Sequence, residues 1–544
     1  MQIATLRFPS AATLLLGLAV LCAAMLALPG QTITTRYLPD LFRILDGAYR
    51  VSSGLVPHRD FHTPLGPLTA YIPAAGYGLT GSYGAAMPVG MALLLLAVAP
   101  AVIAIVGSRL QPVLALLFGA FLLLVLAVPI NLGEGVTSLT FAKFYNRIGW
   151  VALGALLVMY LKPAKVRAGQ DMRDALAAAF LTLVMVYTKA TYGVVALGFL
   201  AFMLFDKDQR RWAVRALFIV AVAALLVEVV WRSHASYAES LMLALDVSGA
   251  LRGSWGQILD HILVNFADFV LVGLIAIWAL RRTRSLRDAV FYAGCAALGF
   301  LLINQNFQAW GIVTLHAAAA VAAETLLRRM GGDADEVASS TWSPIAGTKL
   351  LFAAIVLPTV VHCTLSLGLH AGAAVARAGE ALPIPHLDRV RLANLWTWGD
   401  HGTSLEYLAA VAEGVNLLKA ASSGSEPVLV LDIANPFALA TDRSPARGET
   451  PWLQWERTVG PSASPRPEIL FAQPHFVLEP KPAPGSDAAG ALASGKHPAA
   501  AYAAYLGAHF EIAAETGSWK LHRRRAAPVQ TSCRASCTAE PGPL

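Results

Sequence analysis

Long apolar runs alternate with short polar connections through the first two thirds of the chain. A helix needs roughly 20 apolar residues to cross a bilayer core about 30 Å thick. The runs that approach this length predict eleven transmembrane helices, at residues 11–29, 86–107, 113–130, 147–161, 174–188, 191–205, 213–231, 260–280, 289–303, 309–327 and 349–371. We therefore expect residues 1–371 to form a transmembrane domain.

The composition agrees with this pattern. The chain has 544 residues, of which 56% are hydrophobic and 14% are charged, against about 25% charged in soluble globular proteins. Its mean hydropathy is +0.58. Five cysteines in 544 residues cannot form the framework of a secreted disulfide scaffold. The predicted class is a polytopic α-helical membrane protein.

The distribution of basic residues predicts the orientation. With a cytoplasmic N-terminus, the inner loops carry sixteen Lys and Arg residues and the later outer loops carry five, as the positive-inside rule requires. This places the chain in a bacterial inner membrane, with everything after residue 371 on the outer side. The basic residues of the inner loops explain the net charge of +7, so the charge does not indicate nucleic-acid binding. The first run could alternatively be a cleaved signal peptide. The first outer loop departs from the rule, with Arg36, Arg43, Arg50 and Arg59, and an anionic substrate would explain these cations.

Two outer segments have structure of their own. In the first, residues 30–85, apolar positions from Leu38 to Tyr49 follow helical spacing and predict an amphipathic helix along the membrane surface. Residues 67–77 are predicted to form a segment that lies at the membrane interface and does not span the bilayer. In the second, residues 372–525, the pattern predicts a small α/β domain, with helices at 405–419 and 499–506 and strands at 428–432, 468–471, 510–512 and 519–522. Residues 526–544 are expected to be disordered.

One motif in the first outer loop indicates chemistry. It runs Asp46-Gly47-Ala48-Tyr49, then Gly54, then residues 57–68 with the sequence PHRDFHTPLGPL. It resembles the first extracytoplasmic loop of the GT-C glycosyltransferases, the superfamily of protein mannosyltransferases and lipid A aminoarabinose transferase. There an acidic residue and a tyrosine precede a proline-rich element. This chain has Gly47 where a second acidic residue is common, and His62-Thr63-Pro64 where two prolines are usual.

The resemblance implies an inverting transfer of a sugar from a polyprenyl-phosphate donor to a cell-envelope glycan, lipid or protein. Asp46 would be the general base that accepts the proton of the acceptor hydroxyl, and cations would hold the leaving phosphate. No cofactor is expected, and no metal-ligand spacing occurs. Other readings are a polysaccharide polymerase or ligase, and a non-enzymatic transporter of lipid-linked glycans.

The candidate site residues all lie on the predicted outer side. The catalytic candidates are Asp46, Asp60 and Glu134, and the substrate-binding candidates are Arg59, His62, Tyr145, Arg147, Lys189 and Gln305. Each has a structural alternative. Asp46 could pair with Arg43 or Arg50 on its own helix, and Asp60 could be a turn residue. Glu134 could be solvated, Lys189 could extend to the interface, and Tyr145 and Arg147 could be interfacial anchors. Asp40, after Pro39, fits a helix N-cap.

Overall fold

The computed structural model describes residues 9–248, 255–306, 308–330, 343–482 and 487–526. It is mainly helical. The helices are α1 Ala11–Ala27, α2 Leu38–Ser52, α3 Leu68–Thr80, α4 Tyr83–Arg109, α5 Pro112–Ala127, α6 Phe144–Val158, α7 Gln170–Thr188, α8 Ala190–Met203, α9 Arg210–Trp231, α10 His234–Ser248, α11 Trp255–Val264, α12 Phe266–Thr283, α13 Leu286–Asn306, α14 Val313–Met330, α15 Pro344–Val375, α16 Trp398–Ala421, α17 Phe437–Ala440, α18 Pro467–Leu470, α19 Asp487–Ala493 and α20 Pro498–His509. The strands are β1 Thr32–Thr34, β2 Glu380–Ala381, β3 Val390–Leu392, β4 Val428–Val430, β5 Phe476–Pro480, β6 Phe510–Glu515 and β7 Trp519–Arg524.

The apolar helices make this a multi-pass membrane protein. Within the described residues, α4, α9, α13 and α15 are each long and apolar enough to cross a membrane. The helices α11 and α12 together form a fifth candidate, bent by 61°. Asn265 lies at this bend, and its side-chain amide donates to the carbonyls of His261 and Ala309. The predicted runs all fall on helices, but the number of eleven spans stays a prediction.

Residues 30–85, the predicted first outer loop, pack as a compact unit against the apolar helices. The amphipathic helix predicted after residue 38 is present as α2. Other parts of the chain cover it, because Leu41, Phe42, Leu45 and Ala48 are 1% exposed or less and polar residues of the same helix are buried too. Its position along the membrane surface stays a prediction. The predicted N-cap role of Asp40 is wrong. The helix begins at Leu38, and its N-cap is Tyr37 with a left-handed backbone.

The next two helices, α3 and α4, pack with their backbones almost in contact. A Cβ atom at Gly76 would lie 2.0 Å from the carbonyl oxygen of Ala86, and one at Gly90 would lie 2.3 Å from that of Ile72. Glycine is therefore required at both positions. This close packing fixes the loop that carries the motif relative to the first long membrane helix.

Two sheets lie in and around the C-terminal region. The small one has the order β1-β3-β2, with β1 of the first outer loop parallel to β3. The larger one has the order β4-β5-β7-β6, in which β4 and β5 are parallel and the other pairs are antiparallel. The strand predicted at 468–471 is wrong, because residues 467–470 form a short helix that begins with proline. The strand that pairs with β4 is instead β5. Within the predicted tail, Ala526 is described and 527–544 lie outside the described residues.

Candidate active site

Residues 46–68 carry the motif, and we call them the motif loop. A segment of the C-terminal region, residues 443–459, runs across this loop, and we call that segment the strap. The Tyr49 hydroxyl donates to the Arg443 carbonyl at 3.0 Å. The Gly448 amide donates to the Asp60 carbonyl at 2.7 Å, and the His62 amide donates to the Glu449 carbonyl at 3.0 Å. Residues far apart in sequence thus share one hydrogen-bond network, and the strap forms one wall of cavities A and B, which are described below.

A buried ion triad lies under the strap. The Arg50 guanidinium donates to Asp46 Oδ2 at 2.9 Å and to Glu449 Oε2 at 2.7 Å, and it reaches the Ala446 carbonyl at 3.2 Å. All three side chains are at most 1% exposed. Asp46 therefore has the pairing with Arg50 that the sequence allowed as an alternative. Its assignment as the general base stays a prediction, since the structure places it in an ion pair without access to solvent.

The triad predicts how stability depends on pH. Burial raises the pKa of Asp46, and it raises the pKa of Glu449 to about 7, although Arg50 opposes both shifts. Between the unfolded and folded pKa values, the folded state holds a proton that the unfolded state has released, so the stability falls as pH rises through that window. We expect Glu449→Gln to reduce this loss. Unfolding midpoints in detergent at about pH 5 and about pH 8 measure it, and an unchanged pH dependence in the variant would contradict the assignment.

Asp60 and Arg59 lie at a turn beside the strap. The Asp60 carboxylate accepts the Val56 amide at 2.8 Å, which is the turn role that the sequence allowed. It also lies 3.3 Å from Arg447 Nη1 on the strap and 3.5 Å from Arg59 Nη2. The Arg59 side chain is 47% exposed. In this arrangement Asp60 helps to hold the strap, and Arg59 extends into solvent.

Glu134 and Arg147 meet at a separate small cavity of about 90 Å³, which Lys143 and Asn146 also line. The Glu134 carboxylate lies 3.3 Å from Arg36 and accepts from Asn131 at 3.1 Å. Arg147 is buried and donates to the Ile130 carbonyl, while its Nε and Nη2 make no hydrogen bond within the described part of the chain. Glu134 is thus an ion-pair partner at this edge rather than a solvated loop residue.

Three of the predicted substrate-binding residues meet in one cavity. Cavity A, of about 290 Å³, is lined by Tyr145, Lys189 and Gln305, together with Trp452 and Arg457 of the strap and apolar residues of α8 and α10. The Lys189 ammonium donates to Asn146 Oδ1 at 3.1 Å and lies 5.4 Å from the centre of the Tyr145 ring. Residues from six separate parts of the chain therefore form this cavity.

The carboxylate of Asp40 interacts with two residues that line cavity A, Tyr145 and Arg457. Asp40 Oδ1 accepts from Arg43 Nη2 at 2.7 Å, and the Asp40 side chain is 18% exposed. Its charge also acts on Lys143, Tyr145 and Arg457. Burial lowers the pKa of both Lys143 and Arg457, and the carboxylate of Asp40 opposes this. We call Asp40, Arg43, Lys143, Tyr145 and Arg457 the Asp40 cluster.

Arg43 of this cluster is only partly satisfied. Its guanidinium lies 3.8 Å from the centre of the Trp452 ring, and it lines a narrow crevice that shares Leu65, Tyr145 and Trp452 with cavity A. It is 6% exposed, yet Nη1 has no hydrogen-bond acceptor among the described residues. A buried cationic donor without an acceptor is costly, so this position is suited to an anionic ligand.

His62 lies in a different cavity. Cavity B, of about 250 Å³, is bounded by residues 62–64, by α10 and by residues 448–470. His62 Nδ1 lies 3.4 Å from the Ser240 hydroxyl, and burial lowers the pKa of its imidazole. Pro64 and Ala244 line both cavities, so A and B are neighbours on opposite sides of these two residues.

Sequence reasoning missed four residues of the site: Asp40, Arg43, Trp452 and Arg457. The signal for the first two was present, since Asp40 and Arg43 are three positions apart on a helix in the loop that breaks the positive-inside rule. Trp452 and Arg457 had no such signal, because the strap reaches the site through tertiary packing alone. Among the described residues, no group of three or more His, Cys, Asp or Glu side chains is arranged to hold a metal ion.

Comparison with known proteins gives matches to solved structures alone. No family model and no curated protein sequence matches the chain. ArnT from Cupriavidus metallidurans bound to undecaprenyl phosphate matches with a TM-score of 0.49 and 14% identity, over 95% of this chain and 98% of ArnT. The arabinofuranosyltransferase AftD from Mycobacteria matches with a TM-score of 0.43 and 11% identity, over 95% of this chain and 40% of AftD. An oligosaccharyltransferase from Archaeoglobus fulgidus matches with a TM-score of 0.40 and 12% identity, over 86% of this chain and 68% of that chain.

All three are GT-C fold glycosyltransferases. Identities and TM-scores this low carry no argument about individual residues, so the roles of the site residues depend on the geometry of this chain.

Proposed function

We propose that this protein is a membrane glycosyltransferase that moves a sugar from a polyprenyl-phosphate donor to a cell-envelope acceptor on the outer face of the bacterial inner membrane. One observation carries the proposal: cavity A joins a cationic end to an apolar wall whose side chains are partly exposed. Such a site suits a ligand with an anionic headgroup and a long hydrocarbon chain.

The apolar wall would receive the polyprenyl chain. It consists of Val194 on α8 with Leu241 and Leu245 on α10. Val194 is 68% exposed and Leu245 is 49% exposed, and Met242 beside them is 65% exposed. Apolar side chains exposed on a membrane protein contact lipid without cost, so a lipid chain can pass from the bilayer to the cavity along this wall.

The cationic end would hold the phosphate. Lys189 and Arg457 line cavity A, and Arg43 and Lys143 lie in the adjoining crevice and small cavity. Asp40 and Glu134 are the carboxylates beside these four cations, so the region keeps an excess of positive charge that a phosphate would reduce. Arginine binds phosphate through its planar fork and lysine binds it as a point charge. Their charges would also stabilise the phosphate as it leaves.

Asp40 is our proposed general base. Unlike Asp46 it retains exposure, and it lies in the cluster that would hold the phosphate. In the proposed step the acceptor oxygen forms a bond to the anomeric carbon of the sugar. The bond between that carbon and the phosphate oxygen breaks, its electron pair stays on the phosphate, and the hydroxyl proton passes to Asp40.

The proposed orientation places cavity A outside, in an eleven-span arrangement with the C-terminal region on the same side. Tyr145 at the start of α6 and Gln305 near the end of α13 line cavity A. At the opposite ends of these helices, Lys162, Arg287, Arg328 and Arg329 surround another cavity. Basic residues at that end are what the positive-inside rule expects of the cytoplasmic side.

Substitution of the phosphate-binding cations tests the proposal. We expect Lys189→Met and Arg457→Met each to lower kcat/KM for the donor by roughly 10- to 100-fold, as losing a hydrogen bond to a charged group costs about 1.5–3 kcal/mol. The assay uses the protein in lipid nanodiscs and follows release of undecaprenyl phosphate from a panel of labelled undecaprenyl-phosphate sugars.

The matched control is Lys496→Met, which changes an exposed lysine in the C-terminal region and should leave the rate unchanged. If no sugar is released from any donor by the parent protein, the proposed function is wrong. If the parent is active and both cavity A variants match it, the phosphate site is wrong.

A further inference from the structure

Cavity B differs from cavity A in charge. Its charged lining residues are Glu239 and Arg466, one of each sign. Both are exposed, and neither forms an ion pair with another described residue. Cavity A in contrast has Lys189 and Arg457 without a carboxylate in its lining. The charges of cavity B therefore favour a neutral ligand, and those of cavity A an anionic one.

Three of the five hydroxyl side chains that line cavity B are arranged to accept hydrogen bonds. The Ser240 hydroxyl donates its proton to the Ser236 carbonyl at 2.8 Å, the Thr458 hydroxyl to the Trp452 carbonyl at 2.6 Å, and the Ser464 hydroxyl to the Gly460 carbonyl at 3.2 Å. A hydroxyl has one proton and two lone pairs. With their protons committed to the backbone, these three oxygens remain available as acceptors.

His62 adds a fourth acceptor. The Ser240 oxygen lies 3.4 Å from Nδ1 of both His58 and His62. His58 donates from Nε2 to the Leu65 carbonyl, so in the neutral imidazole its Nδ1 has no proton, and the hydrogen bond that the Ser240 oxygen accepts comes from the Nδ1–H of His62. In a neutral imidazole the other nitrogen, Nε2, then has no proton and accepts. Burial lowers the pKa of His62, which favours this neutral form. The cavity thus matches a ligand that is rich in O–H donors.

The apolar part of the lining fits the same class of ligand. Leu243 and Leu470 line the cavity together with Pro64 and Pro465. A sugar ring has hydroxyl groups at its rim and C–H groups on its faces, and a pocket that mixes fixed polar groups with apolar walls is the usual form of a small-molecule site. The volume of about 250 Å³ leaves room for one such unit.

We propose that cavity B binds a neutral, hydroxyl-bearing sugar unit of the acceptor glycan. The inference rests on the proposed function, because cavity A must hold the donor. Pro64 and Ala244 line both cavities, so an acceptor bound in B has its hydroxyl groups next to the donor in A. The acceptor is then a neutral glycan rather than an anionic glycolipid or a peptide.

The test separates breakdown of the donor from transfer to the acceptor. Nanodisc-embedded protein receives a labelled undecaprenyl-phosphate sugar with a panel of neutral oligosaccharides, with lipid A, or with a serine- and threonine-rich peptide. We expect transfer to a neutral oligosaccharide. Ser464→Leu, which fills cavity B, should lower kcat/KM for that acceptor about tenfold, since overpacking costs about 1–3 kcal/mol. Hydrolysis of the donor by water should stay within about twofold of the parent.

Ser423→Leu, the same substitution at an exposed serine of the C-terminal region, is the matched control. Thr450→Leu is a second cavity B variant, to be used if Ser464→Leu lowers the unfolding midpoint. Transfer to lipid A or to the peptide in place of the oligosaccharides would overturn the inference, and so would unchanged acceptor kinetics in a folded cavity B variant. Failure of the proposed function is distinct, because donor hydrolysis would then be absent from the parent.

Discussion

Replacing Asp40 by asparagine is expected to lower the rate of sugar transfer by about 10²- to 10⁴-fold, the usual contribution of a general base. Asparagine is close to the same shape, but its amide cannot accept the proton of the acceptor hydroxyl. Binding of undecaprenyl phosphate should be unchanged or tighter, because the variant removes the negative charge that lies among Arg43, Lys143 and Arg457. Single-turnover transfer and equilibrium binding of undecaprenyl phosphate, measured in nanodiscs, give the two quantities separately.

Two further variants make this experiment decisive. Asp388→Asn changes an exposed carboxylate near β3 and should behave as the parent. Asp46→Asn tests the competing base, and we expect its effect to appear in stability rather than in the chemical step, as Asp46 is buried against Arg50. If Asp40→Asn transfers sugar normally while a folded Asp46→Asn does not, the base is Asp46, as the motif resemblance implies.

Replacing Arg50 by methionine is expected to destabilise the site by about 3–5 kcal/mol, because it leaves two buried carboxylates without their counterion. Asp46 and Glu449 both depend on this guanidinium, and Arg50 also donates to the Ala446 carbonyl of the strap. The strap should therefore detach from α2. Hydrogen exchange of residues 443–459 would measure detachment of the strap, and the unfolding midpoint in detergent would measure the loss of stability.

A triple substitution in the triad should restore the stability that Arg50→Met removes. Replacing all three members by apolar residues, in Asp46→Leu, Arg50→Met and Glu449→Leu combined, should recover much of the stability, since a packed apolar triad avoids the cost of desolvating charges. Arg59→Met is the control, because that exposed arginine lies 3.5 Å from Asp60 and such pairs contribute about 0–1 kcal/mol. An Arg50→Met protein with parental exchange in the strap would show that the triad does not hold it.

Much of the fold could be predicted from the sequence because its signal is local. Apolar runs located the helices of the membrane region, and the amphipathic spacing after Leu38 located α2. Shorter elements were harder to predict. Residues 468–471 have a strand-like composition but follow Pro467 at the start of a helical turn. The strand at Phe476–Pro480 was missed because prolines lie on both sides of it, and α10 was missed because its apolar positions did not stand out from a polar connection.

The candidate site also contains some residues that a local sequence pattern predicts and others that it does not. Tyr145, Lys189 and Gln305 were predicted because polar residues at the outer ends of apolar helices are costly unless they function, and they do meet in cavity A. The choice between Asp40 and Asp46 could not be made in this way. Both lie on one helix near arginines, and their burial differs only because the strap covers Asp46. Trp452 and Arg457 reach cavity A through contacts between distant segments, which no local pattern records.

The parallel pairing of β1 with β3 has a consequence for how the protein is made. Thr32 follows α1, but its partner Val390 is synthesised after α15, which comes last in the chain among the described helices that are long and apolar enough to cross a membrane. During translation β1 therefore has no strand partner while the helices between β1 and β3 are inserted. The strap is synthesised later still, so the residues of the candidate site come together only after the helices up to α15 have been made, and a nascent chain that is still being inserted has no assembled candidate site.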